Sequence, residues 1–350
     1  MKEPIVKNKL YNPDGESFYQ PIVGGDPSGL LALNLGKYSQ KKWFGDLYAK
    51  MCNDIWFPER VSMAEDTKQF PHLIPEFQRA YMGILSFLTY LDSIQTYNPF
   101  NFTKYISAGE INFLIVFQAF QEAVHAKSYS YIDESVLGSI EEKKELYDLC
   151  KTDPILKKRN DYIASLYTAL EDNPNSQTFM DAIIANYILE GLYFYNGFKF
   201  FYALEERGLM KGTADVIRLI NRDEISHLIL YKNIIKEIAE VKPEWVSEKR
   251  IFKLFTEAVE QEEIFSIDLL GDCFGFNEET ITKYTRFLAN RRLKDIGFVS
   301  NPFSEYTENP YKHFDDALEG GDVVMEENFF TSGISTYNKA DNDGGWAELE

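Results

Sequence analysis

The sequence predicts an all-α fold, and three observations carry that expectation. From about Tyr38 to Arg292 apolar residues recur at helical spacing, no alternating strand pattern persists, and glycine and proline gather at a few breaks. Those breaks lie near Asn98-Pro99, Asp153-Pro154, Asn173-Pro174 and Lys242-Pro243. The chain has 350 residues, of which 45% are apolar, enough for a large core.

Residues 1–40 are read as an irregular arm, because Asn12-Pro13-Asp14-Gly15, Gly24-Gly25-Asp26-Pro27 and Ser28-Gly29 are turn formers with little apolar period between them. Residues 41–300 form the helical domain. Within it, Phe77 to Gln95 reads as a helix with a stripe at Tyr81, Leu85, Leu88 and Asp92. Ser107-Ala-Gly-Glu110 has the form of a capping box and opens a long helix through Tyr131 and Ile132. A third helix is expected from Phe179 to Glu206, and a fourth from near Thr213 into the 230s. Residues 301–350 are read as an extended, flexible tail, since 319–350 hold eight acidic residues against Lys339 alone. Phe329-Phe330, Tyr337, Trp346 and Leu349 punctuate that tail as anchors for a partner.

Composition narrows the function. A net charge of −19 with no basic block excludes nucleic acid as a direct partner. No run approaches 18 consecutive apolar residues and the N-terminus has no secretory h-region, so neither a membrane span nor export is expected and the compartment is the cytoplasm. Cys52, Cys150 and Cys273 are far apart and form no CxxC, which fits reduced thiols.

Two of only four histidines follow a glutamate by three residues, in Glu122-Ala-Val-His125 and Glu224-Ile-Ser-His227. That spacing puts carboxylate and imidazole on one helix face. Asp92, Glu122 and Glu190 each interrupt an apolar helical run, with no Lys or Arg at i+3 or i+4 to neutralise them. A buried carboxylate without a partner costs several kcal/mol or more, so these acids need cations. The chain also repeats one scheme: Asp92 precedes the first ExxH by 30 residues and Glu190 precedes the second by 34. One carboxylate from each of two helices and an ExxH from each of two more is the dimetal carboxylate arrangement of ferritin-like bundles. Oxygen and imidazole ligands suit iron or manganese, two ions per chain. Tyr129, seven residues after Glu122, returns to the same face, and Phe194, Phe198 and Ile220 would face that region as a dry wall.

The segments LDSIQ (91–95), EAVHAKSYS (122–130), LEGLYFYNGF (189–198) and IRLINRDEISH (217–227) together resemble the small (beta), radical-generating subunit of class I ribonucleotide reductase. The resemblance implies a ferritin-like homodimer that lends an oxidising equivalent to a large (alpha) subunit reducing ribonucleoside diphosphates. It implies that Asp92, Glu122, His125, Glu190, Glu224 and His227 are metal ligands, Tyr129 is the radical site, and Phe194, Phe198 and Ile220 are its pocket. It also implies that Asp223 accepts the ring N–H of His125 and that Trp56, in Trp-Phe-Pro-Glu, continues a path through Asp223. Tyr337, after Phe329-Phe330, becomes the relay to the large subunit through the C-terminal tail. AVHAKSYS leans toward the branch in which a dimanganese centre is activated by a flavodoxin-like protein.

Overall fold

The computed structural model describes residues 2–31, 33 and 41–311. Twelve α-helices are found among them: α1 Lys42–Asn53, α2 Ala64–Gln69, α3 Pro75–Gln95, α4 Pro99–Thr103, α5 Gly109–Val136, α6 Ile140–Thr152, α7 Pro154–Asp172, α8 Ser176–Ile188, α9 Tyr195–Glu205, α10 Lys211–Val241, α11 Glu248–Leu270 and α12 Glu278–Asp295. The described residues hold only isolated β-bridges, so the all-α expectation stands.

Local chemistry sets the helix ends. Asp153 accepts from the amides of Ile155 and Leu156, so the break at Asp153-Pro154 is a cap with proline in the first turn, where a missing N–H is harmless. Asn175 and Thr178 form a reciprocal capping box that opens α8. The box expected at Ser107 does not form: α5 starts at Gly109 with no side-chain cap. Ser107 Oγ instead accepts the amide of Gly25, pinning the N-terminal arm to the bundle. At the start of α10, Met210 has a left-handed backbone and the first-turn donors are satisfied from α2, where Asp66 accepts the amides of Gly212 and Thr213 and the Thr213 hydroxyl.

Four helical runs surround the core site. α3 packs on α5, α5 on α10, and α10 on α8 and α9. Gly197 permits the approach of α9 to α3, since a Cβ there would lie 2.8 Å from Ile84 Cγ2. The expected single helix from Phe179 to Glu206 is corrected: a π turn, Leu189–Tyr193, separates α8 from α9. One extra residue in that turn shifts the faces that follow by about 100°. α5 is apolar on nearly every face, including the exposed Val116 and Phe120.

The arm is irregular over its described part yet tied down, for the Glu3 amide donates to Ser176 Oγ at 3.0 Å and Asn8 to the Lys104 carbonyl at 2.7 Å. The expected tail boundary at 300 falls within a packed segment, because Phe303 and Tyr311 are buried and Tyr311 hydrogen bonds to Thr280. The remainder of that tail, including Tyr337, lies outside the described residues. No helix among the described residues is long and apolar enough to cross a membrane.

Candidate metal centre

α3 carries Asp92, α5 carries Glu122, His125 and Tyr129, the π turn carries Glu190, and α10 carries Glu224 and His227. Each of these side chains is 0% exposed. The six predicted ligands fall into two sets of four, Asp92, Glu122, His125 and Glu224, and Glu122, Glu190, Glu224 and His227. Within each set the ligand atoms lie within 4.8 Å of one another. Glu122 and Glu224 belong to both. Their two oxygens divide between the sets: Glu122 Oε2 and Glu224 Oε1 lie 3.3 and 3.2 Å from His125 Nδ1. Glu122 Oε1 and Glu224 Oε2 each lie 3.3 Å from His227 Nδ1. Glu122 and Glu224 would thus each offer one oxygen to either cation position.

The imidazoles show what belongs at those positions. His125 Nε2 faces Asp223 Oδ2 at 3.2 Å, and His227 Nε2 faces Gln121 Oε1 at 3.1 Å. An acceptor at Nε2 fixes the proton there and leaves a lone pair on Nδ1, the arrangement of a metal-bound histidine. Both lone pairs then point at carboxylate oxygens. Asp92 Oδ1, Glu122 Oε2, His125 Nδ1, Glu190 Oε2 and Glu224 Oε1 are buried without hydrogen-bond partners. Apart from one another and Asp223, the six groups have no ion-pair partner among the described residues. Four carboxylates and two neutral imidazoles match two divalent ions in charge, and the hard oxygen and nitrogen donors fit iron or manganese.

Without cations the cluster holds protons. Burial, then Glu122 and Glu224, pushes the Asp92 carboxyl well above its ordinary range. Burial lifts Glu190 to about 8 against the pull of His227. Burial disfavours the charged forms of His125, His227 and Glu224, but is outweighed: the surrounding acids raise both imidazoles, and the two histidines lower Glu224. Divalent ions would therefore bind by displacing protons.

The neighbours of the two sets differ. The Tyr129 hydroxyl donates to Asp92 Oδ2 at 2.8 Å, and burial, followed by the Asp92 charge, raises that phenol well above its usual pKa, keeping it protonated. Trp56 Nε1 donates to Asp223 Oδ2 at 2.8 Å, so Trp56, Asp223 and His125 form one buried chain. Asp223 also lies 3.6 Å from Arg222, the pairing available to it apart from any metal. Around Glu190 the partners are amides: its Oε1 accepts from Gln118 at 2.8 Å, Gln95 at 2.9 Å and Asn186 at 2.5 Å. Tyr231 in turn donates to Gln118 at 3.1 Å. Sequence reasoning missed Gln95, Gln118, Gln121, Asn186 and Tyr231. Gln118, Asn186 and Tyr231 stand four residues from Glu122, Glu190 and His227, and the helix-face rule applied to polar residues would have found them. Phe194, Phe198 and Ile220 are wholly buried, with Phe194 against Phe87 and Phe198.

Comparison with known proteins places this geometry. Residues 37–310 match the family described as ribonucleotide reductase, small chain. The chain is 38% identical over 300 residues to ribonucleoside-diphosphate reductase subunit beta of Treponema pallidum, covering 84% of each protein. It is 33% identical to the protein of that name from Halalkalibacterium halodurans, over 99% of this chain and 100% of the relative. The solved ribonucleotide reductase R2 subunit from Clostridium botulinum superposes with a TM-score of 0.83 at 36% identity, covering 89% of this chain and 98% of that one. The buried two-set cluster on a ferritin-like helical bundle and these similarities lead to one conclusion: the chain belongs to the ribonucleotide reductase small-chain family.

Proposed function

We propose that this chain is the radical-generating subunit of a class I ribonucleoside-diphosphate reductase, with Asp92, Glu122, His125, Glu190, Glu224 and His227 as ligands of two iron or manganese ions. The observation that carries the reading is the 2.8 Å hydrogen bond from Tyr129 to Asp92, which joins an oxidisable, solvent-free phenol to the ligand set. Held by these six residues, two such ions would supply the oxidising equivalent for Tyr129.

The side chains determine where protons and electrons go. When Tyr129 loses an electron its phenol becomes strongly acidic, and Asp92 Oδ2 is placed to take the proton, leaving a neutral radical. Burial denies that radical water and reductants, and we assign Phe194, Phe198 and Ile220 to the apolar wall that does so. Trp56, Asp223 and His125 connect the centre toward the turn at Pro58–Arg60 through hydrogen bonds that hold each ring in place. We assign that chain to exchange of the oxidising equivalent with the large subunit, where the ribonucleotide is reduced. Tyr337 in the acidic C-terminal tail is the relay in this reading, and the tail is the docking segment.

Phe113, Val116, Phe117 and Phe120 form a stripe at i, i+3, i+4 and i+7 on α5, with Val116 53% and Phe120 43% exposed. That stripe supports a homodimer in which a second copy covers it. The resemblance of AVHAKSYS supports a manganese-loaded form with a flavodoxin-like activator, and the assembly works in the cytoplasm.

Tyr129→Phe tests the assignment. Two ions per chain should remain by elemental analysis while the tyrosyl EPR signal and activity with the large subunit disappear. Persistence of the tyrosyl signal in this variant refutes it.

A further inference from the structure

Glu190 is the one ligand carried by a π turn, and the carbonyls of that turn do not rely on helix amides alone. Arg292 Nε donates to the Gly191 carbonyl at 3.1 Å, and Arg159 donates to the Tyr193 carbonyl at 2.6 Å. The two guanidiniums come from α12 and α7, on opposite sides in sequence, and are 2% and 0% exposed. We propose that Arg159 and Arg292 form a buried brace that fixes the π turn and thereby positions Glu190; the positioning role rests on Glu190 being a metal ligand.

Three features make this more than a core ion pair. First, Gly191 is shaped for Arg292: a Cβ there would lie 3.0 Å from Arg292 Nε, 3.1 Å from its Cδ and 2.8 Å from Leu228 Cδ2. A Cβ at 191 would thus press on both Leu228 and the arginine that reaches the backbone here. Second, Arg159 is immobilised before it touches the turn. Glu262 Oε2 accepts from its Nε at 2.8 Å, and the rings of Tyr193, Phe87 and Phe265 lie 4.0, 4.3 and 4.6 Å from its guanidinium carbon. Glu262 is held by Asn196 at 3.0 Å and Ser266 at 2.8 Å, so the support extends through α9 and α11. Third, neither arginine touches a ligand atom. Their charges are kept from the carboxylates they might have paired with, and they act on Glu190 through its backbone.

The consequence follows from helix geometry. Relaxing the extra residue of the π turn to regular α-helix turns the chain by about 100° on one side of it. Glu190 would then lose its three amide donors and its approach to His227, 3.5 Å from Oε2. The brace therefore acts on the His227 set and not on the His125 set.

The test uses Arg159→Lys, Arg292→Lys and the milder Gly191→Ala, each in the full chain. Mn(II) binding is titrated in an Asp92→Ala background, which leaves the Glu190 and His227 set complete, and in a Glu190→Ala background, which leaves the other. Brace variants should weaken binding by roughly 10- to 100-fold in the first background and leave the second unchanged. Amides of residues 189–195 should exchange deuterium faster in the metal-free variants than in the metal-free parent. Equal weakening of both sets, or unchanged amide exchange, overturns the brace. A parent chain that takes up no Mn(II) while its variants still show faster exchange overturns the metal reading and supports the brace on the turn.

Discussion

The two halves of the centre are built from the same ligand types, yet almost everything around them differs. On one side Asp92 and His125 sit on uninterrupted α-helices, with a phenol on the carboxylate and an acid joined to an indole on the imidazole. On the other, Glu190 sits in a π turn with three amides on one oxygen, and His227 leans on a glutamine. Groups that give up electrons or accept protons cluster at the first half. Neutral donors, which hold a carboxylate still without reacting, cluster at the second. The repeat of carboxylate and ExxH thus supplies a cluster of four twice, while a phenol bonded directly to a carboxylate of the cluster is supplied once.

The largest break in this comparison comes from the shared carboxylates. Glu122→Ala removes a donor from both sets, so both ions should be lost, whereas Asp92→Ala or Glu190→Ala should each leave one ion per chain. Metal content after dialysis measures this, and equal losses in the three variants contradict the bridging geometry. A smaller and one-sided effect is expected from Asp223→Asn. The asparagine keeps the size but weakens the anchor on His125, so affinity at that half should fall by roughly 10- to 100-fold, as for other outer supports of metal ligands. Trp56→Phe, by contrast, should keep both ions and the Tyr129 signal and lose turnover with the large subunit.

A further effect, apart from metal and turnover, concerns a buried acid outside the centre. Asp133, one turn beyond Tyr129 on α5, is pushed up to about 7 by burial, with Lys143 pulling the other way. Its folded pKa exceeds the unfolded one, so the native state holds an extra proton between about pH 4 and 7. Stability is therefore lost as pH rises through that window, at most about 1.4 kcal/mol per pH unit, and is flat above it. Asp133→Asn should raise the melting temperature more at pH 8 than at pH 5. A gain independent of pH would show that the carboxyl does not titrate there.

What the sequence revealed follows the same division. The clustering of these six acids and imidazoles was legible because charged residues inside apolar helical runs have few physical explanations, and because i to i+3 spacing survives on any regular helix. Tyr129 was legible by the same face rule. The amide shell was not, since Gln95, Gln118 and Asn186 are unremarkable in composition and gain meaning only from where three helices meet. Nor was the π turn at Glu190: apart from Gly191 its residues suit a regular helix, and the arginines that reach its carbonyls arrive from α7 and α12. Ser107 shows the opposite error. Its local motif favours a cap, but a loop 82 residues away in sequence, at Gly25, takes the hydroxyl instead.

The spread of the ligands along the chain also bears on how the protein matures. Asp92 and His227 are separated by 135 positions, so neither set of four is complete until α10 has docked on α5. Metal uptake by the proposed centre would accordingly require the bundle to be assembled first. Each bound ion would tie together distant segments, and the metal-bound state would gain stability in proportion to the logarithm of free metal over its dissociation constant. Scarcity of metal would then act on this protein twice, by withholding activity and by lengthening the time its helices remain open to proteases.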